Sequence, residues 1–369
     1  MTVTNIQSQV QKAIEELVES GAERGLQVAV YRHGEQVVDA VAGVADPETG
    51  RPVTSDTPFF SYSIGKGVAS TVVHVLAERD VLDYDTPISE LWPEFGAHGK
   101  ERATVRHALS QSAGVPGLPA GLTVEDLCDW EKMCEIIAGS EPWWEPGEKI
   151  GYHAITWGYI IGEIIRRATG KPIPEVLQEE VGGPLGVANE LFFAVPASEQ
   201  GRLAQLEDAP GSEEMFGELP EDSPIFKLGP DLTAEHANRA DVRSANILAG
   251  GTVTARAVAR MYAALLGEVD GVRLISPERL REVSAVAMSG EDQIFGFPTA
   301  WGLGYSIGQF MSNAQETQHV FGVGGVGGSH AYADKESGTT LALTNNLLAA
   351  DFGTAEQVGG IVTKVVAEG

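Results

Sequence analysis

The sequence predicts an α/β protein whose strands come from both ends of the chain, with a helical region inserted between them. Three observations predict this. β-rich stretches fall at Leu26–Tyr31 and Gln36–Ala42 near the start, and at Gly302–Gln309, Ser329–Asp334 and Thr339–Asn345 near the end. From about Asp83 to Leu248 the pattern is helical, broken by Pro and Gly. The chain has 369 residues, enough for two domains of roughly 150 residues each. The division that follows is an α/β domain over 1–80 and 250–369, with a helical domain over 81–249.

In chain order, Asn5–Ser20 reads as a helix, with Ile6, Val10, Ala13, Ile14 and Leu17 on one stripe. His33-Gly34 turns the first two strands into a hairpin, and Asp46-Pro47-Glu48-Thr49-Gly50 is a loop by its turn chemistry. A long helix spans about Ile64–Arg79. Ala209–Asp231, rich in Gly, Pro and acids, reads as a surface connector. Helices follow at Thr254–Leu266 and Pro277–Ser284, and Thr354–Val366 closes the chain despite Gly359-Gly360.

Composition removes several classes of function. Hydrophobic residues are 43% and charged ones 21%, which fits a folded globular chain. The formal charge of −27 repels phosphate backbones and anionic headgroups, so neither nucleic acid nor an acidic membrane is an expected partner. The start has no basic and apolar leader pattern and no run is long enough for a membrane helix, so the expected compartment is the cytoplasm. Cys128 and Cys134 lie six apart in what reads as one helix. Six steps of 100° put them on different faces, so no disulfide is expected. No zinc-type spacing of His or Cys occurs, and no metal or cofactor is expected.

Three segments could carry chemistry. Ser63-Ile64-Gly65-Lys66 opens the long helix and is the chain's only S-x-x-K. Positions i and i+3 share a helix face, so a desolvated amine could activate the serine as a nucleophile. Read blandly, Ser63 is a helix cap beside a surface lysine. Tyr152, in Glu145-Pro146-Gly147-Glu148-Lys149-Ile150-Gly151-Tyr152-His153-Ala154, sits at the mouth of the helix Ile155–Thr169. A tyrosine beside an ammonium can titrate below its usual value of about 10 and act as a base. The common alternative is a half-buried aromatic with a wet hydroxyl. His153 is a neighbouring candidate for substrate contact, although a loop imidazole is more often structural. Phe321–His330 holds five glycines and could bring backbone N–H groups to a substrate carbonyl, or could simply turn between edge strands. No G-x-S-x-G elbow surrounds any serine, which counts against an α/β-hydrolase.

The three segments together, in this order, resemble the serine β-lactamase and penicillin-binding-protein superfamily, and most closely its class C-related, family VIII carboxylesterases. Trp144–Thr169 carries the resemblance over its whole length. So do Ser61–Gly67, His107–Gly114 and Arg243-Ser244-Ala245-Asn246, within a span of roughly Leu26–Asn345. The resemblance implies an antiparallel sheet flanked by helices plus a mostly helical domain, with the site between them. It implies Ser63 as the acylated nucleophile and Lys66 with Tyr152 as the proton-handling pair. The oxyanion hole would combine the Ser63 N–H with one from Gly324–Gly327, so Gly324, Gly325 and Val326 are site candidates.

Two departures shape the expected substrate. Ala154 stands where class C enzymes have the Asn of Tyr-x-Asn, and Val323-Gly324-Gly325 stands where they have Lys-Thr-Gly. Related esterases often carry a histidine at the Val323 position. Without that cation a β-lactam carboxylate loses its partner, so a small neutral ester or amide is the expected substrate. An apolar Val323 wall would disfavour water, so an acyltransferase using an amine or alcohol acceptor is the alternative. A catalytically inactive binding scaffold on the same fold is the third reading.

Overall fold

Apolar residues alternate along the first strand, and the sheet is covered on both faces as a result. In the computed structural model, which describes residues 3–212, 220, 222–230, 233–248, 250–308 and 317–368, β1 is Gly25–Arg32 and β2 Glu35–Asp46. Leu26, Val28 and Val30 point to one side of β1, and Ala29 and Tyr31 to the other. Nine strands form the main sheet. The others are β3 Arg51–Pro52, β4 Met288–Glu291, β5 Pro298–Trp301, β6 Ser306–Ile307, β7 Val320–Gly324, β8 His330–Asp334 and β9 Thr339–Asn345. Their order is β3-β2-β1-β9-β8-β7-β6-β5-β4, and every pairing is antiparallel. The two ends of the chain therefore meet in mid-sheet, with Leu26 opposite Asn345 and Arg32 opposite Thr339.

One face is covered by helix α1, Val3–Glu19, and by the last helix, Gly353–Glu368. Ile6, Val10 and Ile14 pack there with Val358 and Val362 over Leu341 and Leu343. The other face carries α2, Ile64–Glu78, and the helix Ala255–Leu266, which is capped by the Thr254 hydroxyl. Every residue of α2 from Ile64 to Ala77 is buried. A helix apolar on all sides belongs inside the protein, and α2 has the sheet on one flank and the helical region on the other. One hydrophobic core runs from Phe321 and Ala331 of the sheet through Val68 and Val72 to Trp157 and Ile161 of the helical region.

Several sequence expectations need correction. β7 is a mid-sheet strand, which neither reading of the glycine segment, a backbone role toward substrate or a turn between edge strands, included. The expected strand Gly302–Gln309 shrinks to Ser306–Ile307, because Gly302–Tyr305 turns; Gln309 lies outside the described residues. The hairpin of β4 and β5 was not expected at all. Cys128 and Cys134 do not share one helix: Val124–Leu127 ends before Cys128, and Trp130–Ala138 begins after an Asp129 cap. Both thiols are nevertheless free. The connector Ala209–Asp231 lies partly outside the described residues and holds a 3₁₀ turn at Pro224–Lys227.

The N-terminus of α2 is seated by a close backbone approach. Ser61 N–H donates to the Gly251 carbonyl at 2.8 Å, and Gly251 N–H to that of Tyr62 at 3.0 Å. A Cβ on Gly65 would lie 2.5 Å from Gly251 N and 2.7 Å from the Gly250 carbonyl carbon. Backbone cannot move aside as a flexible side chain can. Gly65→Ala should therefore destabilise the protein by about 1–3 kcal/mol, read as a lower urea midpoint, and should lower activity by displacing the start of α2.

Candidate active site

Ser63 precedes the first turn of α2, and the backbone just before it is strained. Tyr62 has φ 45°, a left-handed conformation that is costly for a bulky residue. Its peptide is held by the Gly251 contacts, and its ring packs edge-on against Phe60 at 5.0 Å. This turn delivers Ser63 to the N-terminus of the buried helix, where developing negative charge is favoured.

Lys66 lies one turn on and is fully buried. Its amine is 3.3 Å from Ser63 Oγ and donates to the Ala154 carbonyl at 2.7 Å. The amine also lies 4.8 Å from the centroid of the Tyr152 ring. Burial without a carboxylate partner brings its pKa down to about 7. Half-buried Tyr152 donates from its hydroxyl to Ser63 Oγ at 2.6 Å. Its pKa is pushed up to about 12, mainly by burial, with the Ser63 hydrogen bond acting the other way. The sequence expectation of a lowered tyrosine pKa is thus reversed, because desolvation outweighs the Ser63 hydrogen bond. Near neutrality the hydrogen-bond chain can run from Tyr152 O–H to Ser63 Oγ, and from Ser63 O–H to an unprotonated Lys66.

The glycine-rich segment forms the opposite wall. Gly325 presses on the backbone at Ser63: a Cβ there would lie 2.4 Å from Ser61 O and 3.5 Å from Ser63 N. Gly324 ends β7 opposite His330, and Gly325 N–H is committed to Ser329 O at 2.8 Å. Among the described residues nothing accepts from the N–H groups of Ser63 and Val326. Val326 is thus a member of the segment with a backbone donor to offer.

Two expected site residues take other places. Val323 is only 4% exposed and packs toward Gly67 of α2, so it seats β7 on the helix and offers substrate little surface. His153 is buried, its Nδ1 meeting the Gly151 carbonyl at 2.7 Å and its Nε2 accepting from Val115 N–H at 3.1 Å. Burial holds its pKa down at about 4. A neutral imidazole, buried and with both nitrogens engaged, braces the loop behind Tyr152.

The hairpin of β4 and β5 adds residues that sequence reasoning missed. The buried Asp292 carboxylate accepts from Ile294 and Phe295 N–H, and also from that of Tyr152. Gln293 N–H donates to the Ile150 carbonyl at 2.9 Å. This places the Phe295 ring 5.6 Å from that of Tyr152, and Phe295 in turn stacks on Phe297 at 5.5 Å. Phe297 is 40% exposed, so an apolar wall runs from the tyrosine to solvent. A turn pattern at Gly296-Phe297-Pro298 was the only available signal for it. Among the described residues no cluster of His, Cys, Asp or Glu could hold a metal, and no helix is long and apolar enough to cross a membrane.

A helix-flanked antiparallel sheet, with a serine set between a buried lysine and a tyrosine at the foot of its central helix, describes the esterase and β-lactamase-like class of serine hydrolases. The chain belongs to the beta-lactamase family, whose model matches residues 10–358. It is 33% identical over 348 residues to the esterase/beta-lactamase LipL of Mycobacterium tuberculosis, covering 90% of this chain and 79% of that protein. Among solved structures it is similar to a family VIII carboxylesterase, with TM-score 0.88, 30% identity and 97% of each chain covered. It is also similar to a penicillin-binding protein homologue from Caulobacter crescentus, with TM-score 0.84, 29% identity, and 98% of this chain and 97% of that one covered.

The proton states give a pH profile. As pH falls through about 7, Lys66 gains a proton and can no longer accept one from Ser63. Tyr152 stays protonated across the range. With a neutral ester, kcat/KM should rise with pH to a plateau above about 7 and fall about tenfold per unit well below it. A profile flat from pH 5 to 9 would remove Lys66 as the base.

Proposed function

We propose that the protein hydrolyses a small neutral ester through an acyl-enzyme on Ser63. The observation that carries this reading is the position of Ser63 Oγ, 2.6 Å from the Tyr152 hydroxyl and 3.3 Å from a buried lysine amine. Neutral Lys66 takes the Ser63 proton as Oγ attacks the carbonyl carbon. The oxyanion is met by the N–H groups of Ser63 and Val326. As the carbon–oxygen bond breaks, Tyr152 gives its proton to the departing alkoxide and is reprotonated by the Lys66 ammonium. Water then attacks the acyl carbon, yields its proton to the same pair, and releases the acid and free Ser63.

Substrate class follows from what surrounds the serine. Lys66 is the one cation hydrogen-bonded to Ser63 among the described residues, and its role is to move a proton. The chain's net charge is −27, which disfavours an anionic substrate. A neutral ester with an apolar group to lay along Phe295 and Phe297 suits this setting, and a β-lactam carboxylate does not. With Val323 buried, the apolar-wall reason for preferring an amine or alcohol acceptor falls away, and water is the acceptor in this reading. Relatives named as esterases support it.

Ser63→Ala should abolish turnover of p-nitrophenyl butyrate and leave a folded protein. Mass spectrometry of the parent should place the acyl adduct on Ser63; an adduct on another serine would sink the assignment. Lys66→Arg should lose about 10²–10⁴-fold, because a guanidinium stays protonated. Nitrocefin should be a poor substrate, and its efficient turnover would show that a carboxylate is bound without the missing cation.

A further inference from the structure

The turn that carries Val326, next to the Gly325 that lies against Ser61 and Ser63, has little intrinsic reason to hold still. It joins β7 to β8 through Gly325–Ser329, and Gly327 and Gly328 both have positive φ, 86° and 104°. Its own backbone supplies two bonds, Gly325 N–H to Ser329 O at 2.8 Å and Gly328 N–H to Gly325 O at 3.2 Å. Its one large side chain, Val326, is 44% exposed, and the bond the turn receives from the neighbouring backbone is a long one, from Ala349 N–H to Gly327 O at 3.4 Å. An oxyanion donor is useful only when it is in place before the charge develops.

The fixing comes from below. Asn345, the last residue of β9, is 1% exposed. Its Nδ2 donates to the carbonyls of Gly327 at 2.8 Å and Leu347 at 2.9 Å. Its Oδ1 accepts from the buried Ser329 hydroxyl at 3.0 Å. The Glu23 carboxylate lies behind the same nitrogen at 3.3 Å. One amide thus holds the carbonyl following Val326 and the serine that closes the turn, and ties both to a strand in mid-sheet. A Cβ on Gly328 would come within 3.3 Å of that amide nitrogen, so the glycines let the turn settle onto it. A buried amide that satisfies both its donor and acceptor sides is geometrically specific, since reversing its ends would set like against like.

The geometry points to Asn345 as the positioning residue for the oxyanion hole, acting through Ser329 and the Gly327 carbonyl on the Val326 N–H. The inference rests on the acyl-enzyme reading above. It assigns to Asn345 a contribution to kcat, although the residue does not touch substrate.

Asn345→Asp keeps the shape and sets an oxygen against the Gly327 and Leu347 carbonyls and Glu23. Ser329→Ala removes one anchor only. Both are compared with the parent on p-nitrophenyl butyrate, with active sites counted by fluorophosphonate titration, and on butaneboronic acid, whose tetrahedral adduct puts an oxygen in the oxyanion hole. For Asn345→Asp, kcat per titrated site should fall about 100-fold with KM within about threefold, and the boronate KI should rise in step. Ser329→Ala should show the same split at about three- to tenfold. A purely structural role would lower the count of active sites or the melting temperature while leaving kcat per site and KI at parent values, and that result overturns the inference. If Asn345→Asp does not fold, Ser329→Ala decides by the same two measures. A parent that takes up neither fluorophosphonate nor boronate at Ser63 overturns the acyl-enzyme reading itself.

Discussion

The burial of Lys66 governs the rest of the site. An amine enclosed in the first turn of a helix that is covered on every side cannot keep its proton at the usual pKa. Its two hydrogen-bond partners are a serine hydroxyl and the Ala154 carbonyl, and neither supplies negative charge. A carboxylate at Ala154 would have restored the ammonium and removed the base. The loop carrying Tyr152 therefore has to approach with a peptide oxygen, and it does so only because His153 and Asp292 hold its two sides.

The walls around that amine are built from elements distant in sequence, each held by a buried polar side chain. Asp292 fixes the tyrosine side from the β4–β5 hairpin, and Asn345 fixes the oxyanion side from β9. In each case a single side chain satisfies several polar groups in and around a glycine-containing turn, which an apolar contact could not orient. Packing sets the distance between helix and sheet, and these hydrogen bonds set the direction in which N–H and O–H groups point.

Much of this was legible before any coordinates. Ser63 and Lys66 were readable as neighbours because i and i+3 on a helix must face together, and Tyr152 because its segment resembles a known family. The proton state of Tyr152 was misread, since sequence shows the adjacent lysine but not the desolvation that pushes the hydroxyl's pKa up. β7 was missed because its glycines, read locally, spell a turn; they are in a strand because β8 pairs with every one of its residues. His153 and Val323 looked like surface of the site and proved to be its supports, because burial is a property of the assembled layers. Asn345 and Asp292 were missed because the partners that matter to the site, Gly327 and Ser329 for the one and Tyr152 for the other, lie far away in sequence.

The pairing of β1 with β9 bears on how the protein is made. Gln27 and Thr344 share a hydrogen bond across 317 residues, and the strands between which they lie form the middle of the sheet. A ribosome releases the first strand long before the last one exists. Until the C-terminal strands emerge, β1 and β2 form a hairpin with α1 on one face and an open edge where β9 will pair, and such an edge is prone to pair with strangers. Contacts of such long range are also slow to close. On the reading proposed above, the oxyanion turn and its Asn345 anchor lie at this last seam, so the means to stabilise a transition state is complete only once the closing strand is in place.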